Sequence, residues 1–172
     1  MNSDERRDAI LEIISQSVTP VSASSLAKRL SISRQAIVGD VALLRAQGHE
    51  IIATARGYMV PAFRDSNQYI GKIVCCHNPE DTVAELFIMV DLSAIVINVV
   101  VEHDLYGEIT GQLNLRSRED VNAFIRRVKS SEVKLLSELT MGIHLHTITC
   151  RDKTHFEQVC EALDKAGYLY RG

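Results

Sequence analysis

The chain has 172 residues, of which 46% are hydrophobic and 24% charged, with a formal net charge of −3. That size and balance suit one medium domain or two small ones with ordinary cores, and they exclude a disordered chain. No apolar run approaches the roughly 18 residues of a membrane span: the longest, 94–101, is interrupted by Asn98, and the first seven residues lead into no secretory apolar segment, so a soluble cytoplasmic protein with no membrane partner is expected.

Cys75, Cys76, Cys150 and Cys160 show neither C-x-x-C spacing nor a small secreted framework, so buried, reduced thiols are expected. Through Pro61 there are seven Lys and Arg against six Asp and Glu, and after it twelve against sixteen. This mild asymmetry does not by itself argue for a nucleic-acid partner. The histidines are more lopsided: His49 stands alone before Pro61, and His77, His103, His144, His146 and His155 follow it.

Residues 4–17 carry Ile10, Leu11, Ile13 and Ile14 at helical spacing behind Asp4 and Glu5, acids that suit a helix N-terminus. Thr19-Pro20 breaks this helix. Ser22 is an N-cap for a short helix over 23–30, and Ser33 caps a third over 34–47 with Ile37, Val41 and Leu44 inward. Gly48 ends it, and 51–60 reads as two short strands around an Arg56-Gly57 turn. The pattern is a helix-turn-helix with a wing over 1–61, followed by a polar linker at Pro61 and 64–68.

The remainder, 62–172, alternates. A strand over 70–76 precedes a helix over 79–91, opened by Asn78 as N-cap, Pro79 at the first helical position and acids in the first turn. Strands over 94–101 and 108–115 follow, joined through a Gly-containing turn. Ser117 caps a helix with Val121, Phe124, Ile125 and Val128. After a connector holding Leu135 and Leu136, a strand runs over 143–150. Asp152 or Thr154 starts a last helix, with Phe156, Val159, Cys160 and Leu163, closed by Gly167. The fold class is α+β in two domains, the second a β-α-β-β-α-β-α two-layer sandwich.

In a helix-turn-helix the second helix of the pair presents its N-terminal residues to base edges in the major groove. Here that helix begins Ser33-Arg34-Gln35. Arg binds guanine and Gln adenine in a bidentate manner, so Arg34 and Gln35 suit base readout. The Ser33 hydroxyl and the helix N-terminal amides suit a phosphate. Arg56 at the wing tip is a candidate for a backbone or minor-groove contact. Winged helices also serve as protein-interaction domains, in which Arg34 and Gln35 would be solvated side chains.

In the second domain, strand period places His144 and His146 on one face. With His77 at the end of the first strand and Glu85 in the next helix, three imidazoles and a carboxylate are candidates to converge on a divalent ion; Zn(II), Ni(II), Fe(II) and Mn(II) all suit such donors. Two placements of Glu85 stay open. It is the only charge between Asp81 and Asp91, and a carboxylate in so apolar a stretch usually has a partner. Yet Val83, Leu86, Phe87 and Val90 centre almost opposite it, which would turn it to water. His144 and His146 would then be strand histidines on a solvated face. Cys150 shares their face by parity and is expected to pack, while His103, His155 and His49 read as turn, structural or exposed residues.

The N-terminal segments Arg7-Asp8-Ala9-Ile10-Leu11, Val21-Ser22-Ala23-Ser24-Ser25-Leu26-Ala27 and Ser31-Ile32-Ser33-Arg34-Gln35-Ala36-Ile37 resemble the biotin-repressor-type winged helix of bacterial regulators. His77-Asn78-Pro79-Glu80-Asp81, Glu85-Leu86, Val101-Glu102-His103-Asp104-Leu105-Tyr106-Gly107 and Gly142-Ile143-His144-Leu145-His146-Thr147 resemble the 3H domain. In this order, from about residue 5 to the C-terminus, the motifs are similar to those of the niacin-responsive transcriptional repressors of bacteria.

The resemblance implies a homodimeric repressor of niacin uptake or NAD biosynthesis genes, not an enzyme, that binds operator DNA with nicotinic acid as corepressor. It implies a histidine-phosphocarrier-like C-terminal sandwich and one divalent transition metal ion per chain, nickel, zinc or iron, on His77, Glu85, His144 and His146. His103 and Tyr106 are implied as ligand-binding residues, although the family commonly has Pro where this chain has Asp104. A metal-responsive repressor is the alternative. A metal-dependent hydrolase is a weaker one, since no general base or substrate clamp stands out beside the donors.

Overall fold

The computed structural model describes residues 2–61 and 67–172. The chain divides into two compact units on either side of the 64/65 boundary. The linker expected at Arg64, Asp65 and Ser66 lies outside the described residues.

In the first unit, helix α1 (Ser3–Gln16) starts from a reciprocal cap: the Asn2 side chain accepts from Glu5 N, and the Glu5 carboxylate accepts from Asn2 N. Ser22 and Ser33 cap α2 (Ala23–Leu30) and α3 (Arg34–Ala46), each hydroxyl accepting an N3 amide at 3.1 Å. The inward stripes close one core of Ile10, Ile14, Leu26, Ile37, Val41, Leu44 and Ile51. Asp40 is buried on α3, where Arg6 of α1 grips it through two bonds, Nε to Oδ2 at 2.6 Å and Nη2 to Oδ1 at 3.0 Å. The recognition helix is thus fixed by charge as well as by packing.

Strands β1 (Ile52–Thr54) and β2 (Gly57–Met59) form the antiparallel wing. Its turn is Ala55-Arg56, one residue earlier than expected. Gly57 belongs to β2, with φ +140° and a bare Cα against Val21, where a Cβ would fall 2.5 Å from the Val21 carbonyl. Paired 2.8 Å bonds between Val21 and Tyr58 tie the wing to the entry of α2.

The second unit is a four-stranded antiparallel sheet in the order β3 (Tyr69–Cys76), β6 (Ile143–Cys150), β4 (Ile95–His103), β5 (Gly107–Leu115). Helices α4 (Thr82–Asp91), α5 (Arg118–Lys129) and α6 (Lys153–Lys165) complete a two-layer arrangement. The core between the layers holds Ile73, Leu86, Met89, Val96, Leu115, Val121, Ile148, Val159 and Leu163. The Phe156 ring on α6 sits where a Gly71 Cβ would be. Residues after α6 run along β3, with Cys76 N bonded to Tyr168 O and Tyr170 N to Val74 O, both at 2.9 Å, which covers that sheet edge.

Two departures from the expected elements bear on the site. The helix read as 79–91 is a 3₁₀ turn, Pro79–Asp81, followed by α4; the Asn78 side chain makes no cap bond, and Asp81 N closes a three-residue turn on Asn78 O. Asn98, the polar interruption in the long apolar run, sits at a bulge in β4. Its side-chain oxygen takes the Thr147 amide at 3.0 Å and its carbonyl faces His146, so the bulge re-aims backbone at the histidine strand.

Candidate metal centre and nucleic-acid interface

Alternation along β6 turns His144 and His146 to the helix-covered face, and His77 leaves the end of β3 beside them. On α4 the buried stripe is Thr82, Glu85, Leu86, Met89 and Val90, so Glu85 faces the sheet, 1% exposed, and the solvent-facing placement is excluded. Glu85 Oε1 is 2.9 Å from His144 Nε2 and 3.3 Å from His146 Nε2, and Oε2 is 2.7 Å from His77 Nε2. The four side chains are 1–4% exposed.

The other ring nitrogens decide the chemistry. Nδ1 of His77 faces Asn78 O at 2.8 Å, Nδ1 of His144 faces Gly142 O at 2.8 Å, and Nδ1 of His146 faces Asn98 O at 2.7 Å. A carbonyl only accepts, so each Nδ1 carries a proton and donates it. A neutral imidazole then has only a lone pair at Nε2, and all three Nε2 atoms point at one carboxylate. Lone pair against carboxylate is repulsive unless a proton or a metal cation lies between them. Nδ1 held by a carbonyl with Nε2 free is the tautomer that metal-ligating histidines adopt. His77 Nε2 adds a separate sign: despite its 2.7 Å approach to Glu85, this buried nitrogen makes no hydrogen bond.

Burial alone would raise the Glu85 pKa, but attraction to His146 and the close ring nitrogens of His144, His146 and His77 hold it well below the carboxylate range. Burial opposes charge on His77 and His146, yet Glu85 outweighs it and raises both. Glu85 is therefore a buried carboxylate held ionised by positive charge on its imidazole side. Imidazole nitrogen with carboxylate oxygen is a donor set that fits a divalent first-row ion.

In the first unit, Ser33, Arg34 and Gln35 are all exposed at the N-terminus of α3. The Ser33 oxygen accepts from Ala36 N, leaving its hydroxyl proton to donate. Arg56 occupies the wing turn, half-buried, its amide bonded to Thr54 Oγ1 at 3.1 Å. Gly39, on the exposed face one turn beyond Gln35, was not anticipated from sequence; a Cβ there would meet nothing within 4 Å. A glycine with room for a side chain, inside a helix that it weakens, keeps that face low.

Residues 6–59 match the family model of a helix-turn-helix domain, and residues 70–172 match that of the 3H domain. The chain is 39% identical over 168 residues to "Transcription repressor NadR" of Bacillus subtilis, and 37% identical over 166 residues to "Probable transcription repressor NiaR" of Thermotoga maritima. Each alignment covers 96% of this chain and 93% of the relative. This chain belongs to the 3H-domain transcription repressors. It is a DNA-binding regulator rather than an enzyme, and among the described residues no helix of the repressor is long and apolar enough to cross a membrane.

Other candidate residues of the repressor lie elsewhere. His103 ends β4, four residues beyond Val99, the partner of His146; its Nδ1 accepts the Leu105 and Tyr106 amides at 3.1 and 3.4 Å. The Tyr106 ring tilts against it at 5.3 Å and is 74% exposed. Nδ1 of His103 thus braces its own hairpin turn. His155 is buried, bonding the Arg151 amide through Nδ1 at 3.1 Å and Leu92 O through Nε2.

Cys75 is the residue sequence reasoning passed over. The donor atoms of Cys75, Glu85 and His144 all lie within 4.8 Å of one another, close enough to be a possible metal-binding group. The signal was present: Cys75 and His77 are two apart at the end of one strand, the same parity that paired His144 with His146. Burial, then the negative charge of Glu85, pushes the Cys75 thiol far up, so it holds its proton in the metal-free protein. Cys150, by contrast, packs, with its thiol raised to about 11 by burial and by Cys160.

Proposed function

We propose that the chain is a cytoplasmic, homodimeric repressor of niacin uptake or NAD biosynthesis genes that binds operator DNA with nicotinic acid as corepressor. Its C-terminal unit holds one divalent transition metal ion, nickel, zinc or iron, on His77, Glu85, His144 and His146. The observation that carries the metal reading is the triple tautomer lock: three imidazoles donate Nδ1–H to Asn78, Gly142 and Asn98 carbonyls and aim Nε2 at one buried carboxylate. When bound, the ion supplies an electrophilic point for the nitrogen or carboxylate of a pyridine acid.

The residues do the rest. Glu85 compensates the ion's charge, and the carbonyls hold the rings. Gly142 immediately precedes β6 and Asn98 lies in β4, so a small shift at the histidines is passed to those two strands. Ser33, Arg34, Gln35 and Arg56 contact the operator, and His103 and Tyr106 are assigned to effector contact. Nicotinic acid that prefers the DNA-competent arrangement of the dimer raises operator affinity by its differential binding, about 5–150-fold for a coupling of 1–3 kcal/mol.

Calorimetric titration with nicotinic acid, nicotinamide and quinolinic acid, with and without metal, tests the reading, together with operator binding by His144→Ala. Nicotinic acid should bind only the metal-loaded protein, and His144→Ala should lose metal and response together. Binding of none of the three ligands would refute the effector, and unchanged metal content in His144→Ala would refute the site. One observation favours a second reading, a repressor for which the ion itself is the signal: the donors are 1–4% exposed, leaving little room beside them. Independent titration of operator binding with metal and with nicotinate separates the two.

A further inference from the structure

We propose that the Cys75 sulfur is a direct donor to the ion of the His77, Glu85, His144 and His146 centre, making it a mixed nitrogen, oxygen and thiolate site. This rests on the metal-site reading above.

The placement follows from the sheet. Cys75 on β3 lies directly opposite His144 on β6, and directly opposed antiparallel residues have Cβ atoms about 4.5–5.5 Å apart on the same face. It is fully buried, two residues before His77 and under Glu85 of α4. Two donors at about 2.0–2.3 Å from one ion stand no more than about 4.6 Å apart. Cys75 Sγ and the donor atoms of Glu85 and His144, all within 4.8 Å of one another, therefore stand close to the spacing of ligands on a shared ion. A second observation points to the same place: His77 Nε2 is buried 2.7 Å from the Glu85 carboxylate and yet makes no hydrogen bond. The other cysteine of the strand pair, Cys76, turns to the opposite face and is only half-buried.

Coordination breaks the Sγ–H bond, releases the proton to solvent and forms a sulfur–metal bond, with no change in oxidation state. Thiolate is a soft donor, so it biases the centre towards zinc or nickel and against manganese or magnesium. A centre of imidazole and carboxylate alone lacks that bias.

The test loads the full-length protein with Zn(II), and separately with Co(II), and measures metal content, X-ray absorption and the near-ultraviolet spectrum. The expected result is one ion per chain, a sulfur neighbour at about 2.3 Å, and a sulfur-to-cobalt charge-transfer band that Cys75→Ser abolishes while the visible cobalt bands persist. Affinity alone does not discriminate, because losing an outer partner of a ligand also costs about 10–100-fold. Should Cys75→Ser fail to fold, single Ser replacements of Cys76, Cys150 and Cys160 that each keep the sulfur signal assign it to Cys75. A loaded wild-type protein with only nitrogen and oxygen neighbours overturns the thiolate and leaves the four-residue site standing. A protein that takes up no metal overturns both.

Discussion

Gly142 joins the two histidine strands, and Gly142→Ala tests that joint. Its φ is +93°, and a Cβ would stand 2.5 Å from the His77 carbonyl oxygen, a backbone atom with no rotamer to yield. Its own carbonyl accepts His144 Nδ1–H. Alanine in left-handed backbone costs about 1–2 kcal/mol, and crowding a packed interior costs about 1–3 kcal/mol more. The sum is about 2–5 kcal/mol, or roughly 8–20 °C in the melting temperature of a unit of this size. Gly107→Ala is the internal control, since Gly107 has φ +71° with nothing within 4 Å of a Cβ. Subtracting its effect isolates the clash with His77. Scanning calorimetry of the full chain in chelator, with the winged-helix transition as reference, measures both. The displaced His77 should also weaken zinc binding by about 10–100-fold, as loss of a ligand's support does. Equal destabilisation by the two substitutions, with zinc affinity unchanged in Gly142→Ala, would refute the reasoning.

Three further outcomes are expected. Arg34→Ala should cost about 1–3 kcal/mol of operator binding at its base pair and relax specificity there, whereas Arg56→Ala should weaken all sequences alike and lower the salt slope by about 1; footprinting on single-base operator variants tells them apart. Gly39→Ala should raise the stability of the winged-helix unit by about 1 kcal/mol while reducing operator affinity in mobility-shift assays, and a tighter complex would contradict a low helix face. The third outcome concerns acid. The bond from the His155 amide, then the one from Arg151, lowers the Asp152 pKa, so its contribution is present above the unfolded value near 3.9 and is lost as pH falls through the lower folded value. Asp152→Asn keeps a cap at α6 but removes that charge, so urea titrations between about pH 2 and 5 should show a shallower acid limb.

The fold was largely legible because most of its signals are local. Ser22, Ser33 and Ser117 cap the helices they were expected to cap. Strand β6 has the expected bounds, with burial alternating from Ile143 to Ile148 before Thr149 and Cys150 are both buried. The wing turn slipped by one residue for a non-local reason: Gly57 was taken as the turn glycine, whereas its missing side chain serves the close approach of Val21, some 36 positions earlier. Asn98 likewise looked like an interruption and is a bulge whose carbonyl faces a histidine on another strand.

Glu85 was the hardest residue to place, and the reason is general. Helical phase is read from apolar residues, and Val83, Leu86, Phe87 and Val90 pull that phase away from Glu85. The buried stripe is instead Thr82, Glu85, Leu86, Met89 and Val90, at the i, i+3, i+4, i+7, i+8 spacing of an inward face, with two of its five members polar. A hydrophobic period fails where a core stripe has been given over to chemistry, because the residues that carry the chemistry are scored as solvent-facing. The same rule hid Cys75 from the opposite side. A buried thiol reads as packing, and only its register with His144 distinguishes it from Cys150. A functional face in a small domain is therefore better sought by strand parity, which counts positions, than by hydrophobic phase, which counts residue types.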